Sequence, residues 1–266
     1  MSLRFTILGC GSSMGVPRVS LGWGDCDPNE PKNRRRRCAL LVERAQSPGQ
    51  VTRALVDCGP DLREQMIDAN VDWLDGVLIT HEHADHTHGI DDLRPMYVLK
   101  RRQVDVWLDE PTSRAMHARF GYCFMKPPGS QYPPILAEHR LTPGHAITIH
   151  GQGGDIGVMT VLQEHGDIPS LGFRFGNVAY STDLKRLPPE SIALLQGLDV
   201  WIVDALRRSP HPSHFNLDET LEWIERIRPK RAILTNMHTD MDYGTLCREL
   251  PPNVVPAFDG MQFESS

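Results

Sequence analysis

The chain has 266 residues, 40% hydrophobic and 23% charged, a composition that excludes collagen, coiled coil and intrinsic disorder. Twenty-eight Lys and Arg against 34 Asp and Glu leave a net charge of −6, which argues against nucleic acid held on a broad basic surface. No apolar run reaches the roughly 18 residues of a membrane span, and the opening residues lack a signal-peptide pattern. The expectation is a cytoplasmic protein with no membrane partner.

In chain order, residues 3–8, 38–43 and 52–57 read as strands from their apolar and β-branched content. After Gly59-Pro60, the spacing of Leu62, Met66 and Ala69 predicts an amphipathic helix. Residues 76–80 form a short apolar run, 104–108 another, and Pro111-Thr112 opens a second helix. Residues 126–134 carry two Pro-Pro pairs and can only be a loop. Strands follow at 156–162, 171–175, 177–181 and 200–203. Asn216 and Glu219 form a capping box ahead of a stripe of Leu217, Leu221, Ile224 and Ile227. Residues 230–235 are the last clear strand. No linker or internal repeat interrupts the chain. Two β-rich halves with helices outside predict one α/β domain over 1–266, a four-layer αββα sandwich and not a doubly wound sheet.

The six cysteines are scattered without a CxxC pair, so a zinc ribbon, a redox motif or a disulfide framework is disfavoured. Several of the twelve histidines, by contrast, fall in one tight cluster. Residues 81–88 hold His81, His83, His86 and His88 together with Asp85. In extended backbone, residues two apart face the same way, so His81 and His83 can chelate one metal. A turn into helix would swing Asp85 and His86 toward a second. Neutral imidazoles with a hard carboxylate suit Zn, Mn or Fe.

The segment His81-x-His83-x-Asp85-His86 resembles the signature of the metallo-β-lactamase superfamily, and the rest of the chain resembles that family in order. The resemblance implies that Asp57, at a strand end, orients a ligand. It implies further ligands in His165 and His238, with Asp183 as a bridge. The opening Leu8-Gly9-Cys10-Gly11-Ser12-Ser13, the Gly15-Val16-Pro17 after it and the closing Phe258-Asp259-Gly260-Met261 are similar to the phosphoribosyl 1,2-cyclic phosphate phosphodiesterases of phosphonate breakdown. Ribonuclease Z is a more distant relative. From this likeness follow two divalent transition-metal ions, Zn or Mn. One would be held by His81, His83 and His165, the other by Asp85, His86 and His238, with Asp183 shared. A hydroxide between the ions would attack a small cyclic phosphodiester. His214, matching a family histidine near the scissile phosphate, would protonate the leaving group, and it is counted with Asp85 as catalytic. The expected partner is a small phosphorylated substrate, and a homodimer is compatible with the sequence.

Two departures stand out. The phosphonate-pathway enzymes carry a structural zinc on clustered cysteines, but here the loop 24–28 has only Cys26, which predicts no such ion. The family also places its last ligand directly after Leu-Thr, where this chain has Asn236. His238 lies two residues on, on the same face if the strand continues. The run Arg34-Arg35-Arg36-Arg37 reads either as a solvated loop or as a grip on a substrate phosphate. Rival readings are thioester hydrolysis of the hydroxyacylglutathione type, ribonuclease Z-like RNA processing, and a non-catalytic binding protein like the relative from pyrroloquinoline quinone biosynthesis.

Overall fold

The computed structural model describes residues 2–265; Met1 and Ser266, the ends of the expected 1–266 domain, lie outside the described residues. Among the described residues, fourteen strands form two sheets of seven. The first runs β14 (Met261–Ser265), β1 (Leu3–Gly9), β2 (Ala39–Ser47), β3 (Gln50–Val56), β4 (Gly76–Leu78), β5 (Val104–Leu108) and β6 (Leu136–Arg140). The second runs β13 (Val254–Pro256), β12 (Arg231–Thr235), β11 (Val200–Asp204), β10 (Val178–Ser181), β9 (Ile168–Phe175), β8 (Ile156–His165) and β7 (Ala146–Ile149). Each sheet is mixed. Strands β3 to β6 are parallel, as are β10 to β13, and the remaining neighbours are antiparallel.

Strand β2 shows why the sandwich has four layers. Leu40 and Val42 share the face of Phe5, which meets Phe175 of the second sheet at 6.0 Å between the sheets, while Leu41 belongs with Leu62 and Met66 in the cluster on the other face. A strand covered on both faces must be apolar at consecutive positions, and β2 is. Burying each such side chain contributes roughly 1.5–3 kcal/mol. The helices α1 (Leu62–Asp68), α3 (Arg94–Lys100) and α4 (Glu110–Phe124) cover the first sheet, and α2 (Ala84–Thr87) is one short turn. On the second sheet lie α5 (Pro189–Leu194), α6 (Leu217–Ile227) and α7 (Tyr243–Glu249). The α/β four-layer sandwich expected from the sequence is the observed architecture.

The capping box of α6 is present in both directions. Glu219 N–H donates to Asn216 Oδ1 and Asn216 N–H to Glu219 Oε2, each at 2.9 Å. The segment 126–134 is a loop, as its prolines require. The strand at 231–235 is not the last: β13 and β14 follow, and β14 pairs antiparallel with β1, where Phe263 stacks on Phe5 at 5.0 Å. Among the described residues no helix is long and apolar enough to cross a membrane.

Candidate metal centre

The parallel strands of both sheets end at one edge, and the polar residues of interest follow those ends. Asp57 follows β3, Asp183 follows β10 and Asn236 follows β12, with φ of 64°, 51° and 61° respectively. Asp and Asn tolerate the left-handed region better than most side chains, and here it turns each chain sharply at its strand end. The segment after β4 continues as Thr80 and His81, then folds into α2, which carries Asp85 and His86.

Four imidazoles have one ring nitrogen fixed from behind. Thr80 Oγ1 is 3.0 Å from His81 Nδ1, and Asp57 Oδ2 is 2.6 Å from His86 Nδ1. The Ser213 carbonyl accepts from His165 Nδ1 at 2.7 Å, and Asp204 Oδ2 accepts from His214 Nδ1 at 2.9 Å. Such contacts set the tautomer and aim the opposite nitrogen. His81 Nε2 and His86 Nε2 are buried without a hydrogen bond. Buried polar atoms are rarely left orphaned, so these two need a partner of another kind.

Their neighbours say which kind. Ligand atoms of His81, His83 and His165 lie within 4.8 Å of one another, as do those of His81, His86 and Asp183, and those of His165, Asp183 and His214. His165 Nε2 is 3.3 Å from His83 Nδ1. Two nitrogens each about 2.1 Å from one tetrahedral ion would stand about 3.4 Å apart, so this pair has the spacing of two ligands on one zinc-sized ion. Asp183 Oδ1 faces His165 Nε2 at 3.7 Å and His214 Nε2 at 3.8 Å. Its other oxygen is 3.0 Å from His86 Nε2, and Asp85 Oδ2 approaches that nitrogen at 3.3 Å.

The electrostatics agree. Burial pushes the His81 imidazole well below its ordinary range and lowers that of His83, which favours the neutral form a ligand needs. Burial opposes charge on His86 as well, yet Asp183, Asp85 and Asp57 together hold it well above the usual histidine value. Asp183 is buried, but His86 pulls its carboxyl well below the usual carboxylate range. Three carboxylates converging on one imidazole form an excess of negative charge that a cation offsets. The donor set fits divalent metal.

His238 does not join this centre. The left-handed turn at Asn236 breaks the alternation that would have put residues 236 and 238 on one face. The His238 N–H instead donates to the Leu206 carbonyl, and its ring pairs with Asp240 at 3.2 Å. Asn236 takes the inward place, 1% exposed, its Nδ2 at 3.3 Å from Asp183 Oδ2. Every other expected site residue, Asp57, His81, His83, Asp85, His86, His165, Asp183 and His214, is brought to the cluster. Cys26 is buried with its Sγ 3.9 Å from the Arg35 guanidinium. Of the basic run, Arg35 is buried on the Met241 carbonyl, Arg36 pairs with Asp68 and Asp259, and Arg37 with Asp61. Thr80, Ser213 and Asp204 are missed by spacing alone. Asp204, closing β11 as Asp57 follows β3, carried the one legible signal.

Histidines 211 and 214 are pulled apart. Burial and the neighbouring His214 lower His211 to about 4. Burial would lower His214 too, but the Asp204 carboxylate raises it to about 9. At neutral pH the first ring favours its neutral form and the second its charged form, side by side next to the His/Asp cluster.

Fold and cluster together define a metallo-β-lactamase-type hydrolase. Residues 52–237 match the family model described as "Beta-lactamase superfamily domain", and the chain belongs to that superfamily. It is 32% identical over its whole length to a solved structure described as a "New Diphosphatase from the PhnP Family", covering 98% of that chain with a TM-score of 0.88. It is also 32% identical over 265 residues to "Octanoyltransferase" of Porphyromonas gingivalis, covering 98% of this chain and 51% of that protein. "Ribonuclease Z" of Bradyrhizobium sp. is 31% identical over 170 residues, 62% of this chain and 51% of that protein. The chain thus spans about half the length of these two curated relatives.

Proposed function

We propose that the chain is a phosphodiesterase that hydrolyses a small cyclic phosphodiester, a ribose 1,2-cyclic phosphate or a related nucleotide, at a centre of two divalent ions, zinc or manganese. The observation that carries this reading is the Asp204–His214 pair set against the cluster of His81, His83, His86, His165 and Asp183. His81, His83, His165 and one oxygen of Asp183 would hold the first ion; Asp85, His86 and the other oxygen would hold the second. Bound divalent ions acidify water and neutralise phosphoryl charge. The rest falls to the protein. Thr80, Asp57 and the Ser213 carbonyl fix the ligand rings, so little reorganisation is needed when substrate arrives. His214, its Nδ1 proton held by Asp204, presents Nε2–H toward the cluster, where it can protonate a departing alkoxide.

The relative described as a PhnP-family diphosphatase supports phosphoryl chemistry. RNA finds less support, because the net charge is −6 and the guanidiniums of Arg35, Arg36 and Arg37 are already engaged within the fold. Octanoyl transfer is not carried over from a protein of which this chain covers half.

The test compares leaving groups in His214→Ala. Alkoxide departure needs an acid and should slow by about 10²–10⁴-fold, whereas p-nitrophenolate needs little help. The variant should therefore lose ribose cyclic phosphate hydrolysis while keeping bis(p-nitrophenyl) phosphate hydrolysis and its metal content. Equal losses on both substrates, or a wild-type chain that turns over thioesters and no phosphodiester, would overturn the proposal.

A further inference from the structure

Resting on the phosphodiesterase reading above, we infer that the groove bounded by residues 14–17 and 31–37 receives a second, non-reacting phosphoryl group of the substrate, held by Arg34 and Lys32. The groove has a volume of about 510 Å³, in the range of small-molecule sites. Five cations, Lys32 and Arg34 to Arg37, line it against two carboxylates, those of Asp61 and Asp259. On a chain with a net charge of −6, such a local excess of positive charge marks a place for an anion.

The five cations differ in what they have left to offer. Arg35 is buried with its guanidinium on the Met241 carbonyl at 2.7 Å, and Arg37 pairs with Asp61 at 3.0 Å. Arg36 pairs with Asp68 and Asp259, although its Nη1 is buried without a hydrogen bond. Arg34 is exposed, and among the described residues its side chain has no hydrogen-bond or ion-pair partner. Lys32 forms no ion pair among the described residues either. Its ammonium sits 4.5 and 4.6 Å from the ring centroids of Tyr243 and Phe258 and donates to the Tyr243 hydroxyl at 3.1 Å. Those contacts hold the ammonium in place and leave its charge unneutralised. A guanidinium fork matches two phosphate oxygens, and a nearby ammonium adds a point charge.

The groove reaches the His/Asp cluster through Gly59. A Cβ there would stand 1.9 Å from the Asp85 carbonyl oxygen and 3.6 Å from Arg37 Cβ, so both segments pack against the same glycine. On the groove's other wall, a Cβ on Gly15 would stand 3.6 Å from Arg37 Nη1. The next residue, Cys38, has its Sγ 3.6 Å from Thr235 Oγ1, at the end of β12. The run thus leads from the cluster outward to Arg34 and Lys32. A substrate whose cyclic phosphate meets Asp183 and His214 can lay its far end along it. A group bound there without reacting contributes equally to ground and transition states, so its loss shows in KM and not in kcat.

Steady-state kinetics on the metal-loaded full chain test this with two substrates. One is a ribose 1,2-cyclic phosphate with a phosphomonoester on its 5-oxygen, and the other is the same sugar without it. The wild type should prefer the first by roughly ten- to a hundredfold in kcat/KM, the scale of one or two charge-assisted hydrogen bonds. Arg34→Ala should remove most of that preference by raising KM for the first substrate, and Arg34→Lys should recover part of it. Lys32→Met keeps a chain that packs on Tyr243 and Phe258, and it should weaken the preference in the same direction. Equal wild-type kcat/KM on the two substrates would overturn the inference, as would Arg34→Ala and Lys32→Met chains that keep the full preference. A wild type that hydrolyses neither substrate fails differently: it removes the phosphodiesterase reading itself.

Discussion

Replacing Asp204 by Asn isolates the charge that prepares His214. Asp204 is fully buried, and its Oδ2 accepts from His214 Nδ1 and from the Leu184 N–H, both at 2.9 Å. Asn keeps an oxygen acceptor of the same size and removes the charge. Burial opposes the imidazolium and Asp204 restores it, with a net rise from 6.5 to about 9. At about 1.4 kcal/mol per pH unit, that rise favours the charged ring by roughly 3 kcal/mol. In Asp204→Asn the His214 pKa should fall to about 6.5 or below, taking the charged fraction at pH 8 from about nine-tenths to a few per cent. Histidine NMR titration of the metal-free chain reads this directly.

Stability should follow with a defined sign. A folded-state pKa above the unfolded one gives stability that is fully present below about pH 6.5 and is lost as pH rises through 9. The wild-type advantage over Asp204→Asn in unfolding free energy should therefore shrink across that window. The carboxylate's own burial works the other way, raising the Asp204 pKa above the usual range, so the advantage at pH 6 stays below the full 3 kcal/mol or so. The direction for His214 rests on a direct 2.9 Å contact. An unchanged His214 titration, or a stability difference flat from pH 6 to 9.5, would refute the reasoning.

Two further variants probe the ligand set and the backbone beneath it. Asp183→Ala removes the one carboxylate that faces His165, His214 and His86, so it should lose bound metal and nearly all activity. His238→Ala should leave metal content unaltered, and loss of an equivalent there would restore His238 as a ligand. Gly59→Ala would place a Cβ 1.9 Å from the Asp85 carbonyl oxygen, where both partners are backbone and neither can simply rotate away. Overpacking of this kind costs about 1–3 kcal/mol or more, so its melting temperature and metal content should both fall. An unaltered melting curve would show that the segment 83–88 is looser than its packing implies.

Most of the candidate centre was legible through the family resemblance, because the residues it points to are close in sequence or sit at strand ends. His81 to His86 form one continuous segment, and Asp57, His165 and Asp183 each end or follow an apolar strand. His238 misled for a physical reason. The two-residue alternation that pairs His81 with His83 was extended past Thr235, but the backbone leaves the extended region at Asn236. No pattern of apolar residues signals a single left-handed residue. The short outer strands were missed on similar grounds: β13 has three residues, and β14 is only half-buried, so neither displays a full apolar period.

Asp57, Asp183 and Asn236 show how the fold meets the demands of the site. Each follows a strand from a different part of the two sheets, and each adopts positive φ. Left-handed backbone at a non-glycine residue costs on the order of 1 kcal/mol, and three such positions are a sizeable fraction of a domain's net stability. What holds them is the packing behind. Val56, Ser181 and Thr235, close before the three turns, are all fully buried, so the strands cannot shift to relieve the strain. In exchange, three side chains from separated strands meet around His86 and His214. Asp57 lies behind one ring, Asp183 lies between both, and Asn236 bears on Asp183. A regular strand continuation would send alternate side chains to opposite faces and could not converge them from three directions. Rigid apolar strands followed by abrupt polar turns are therefore one requirement met twice. The sheet interior makes the turns affordable, and the turns give the sheet edge its chemistry.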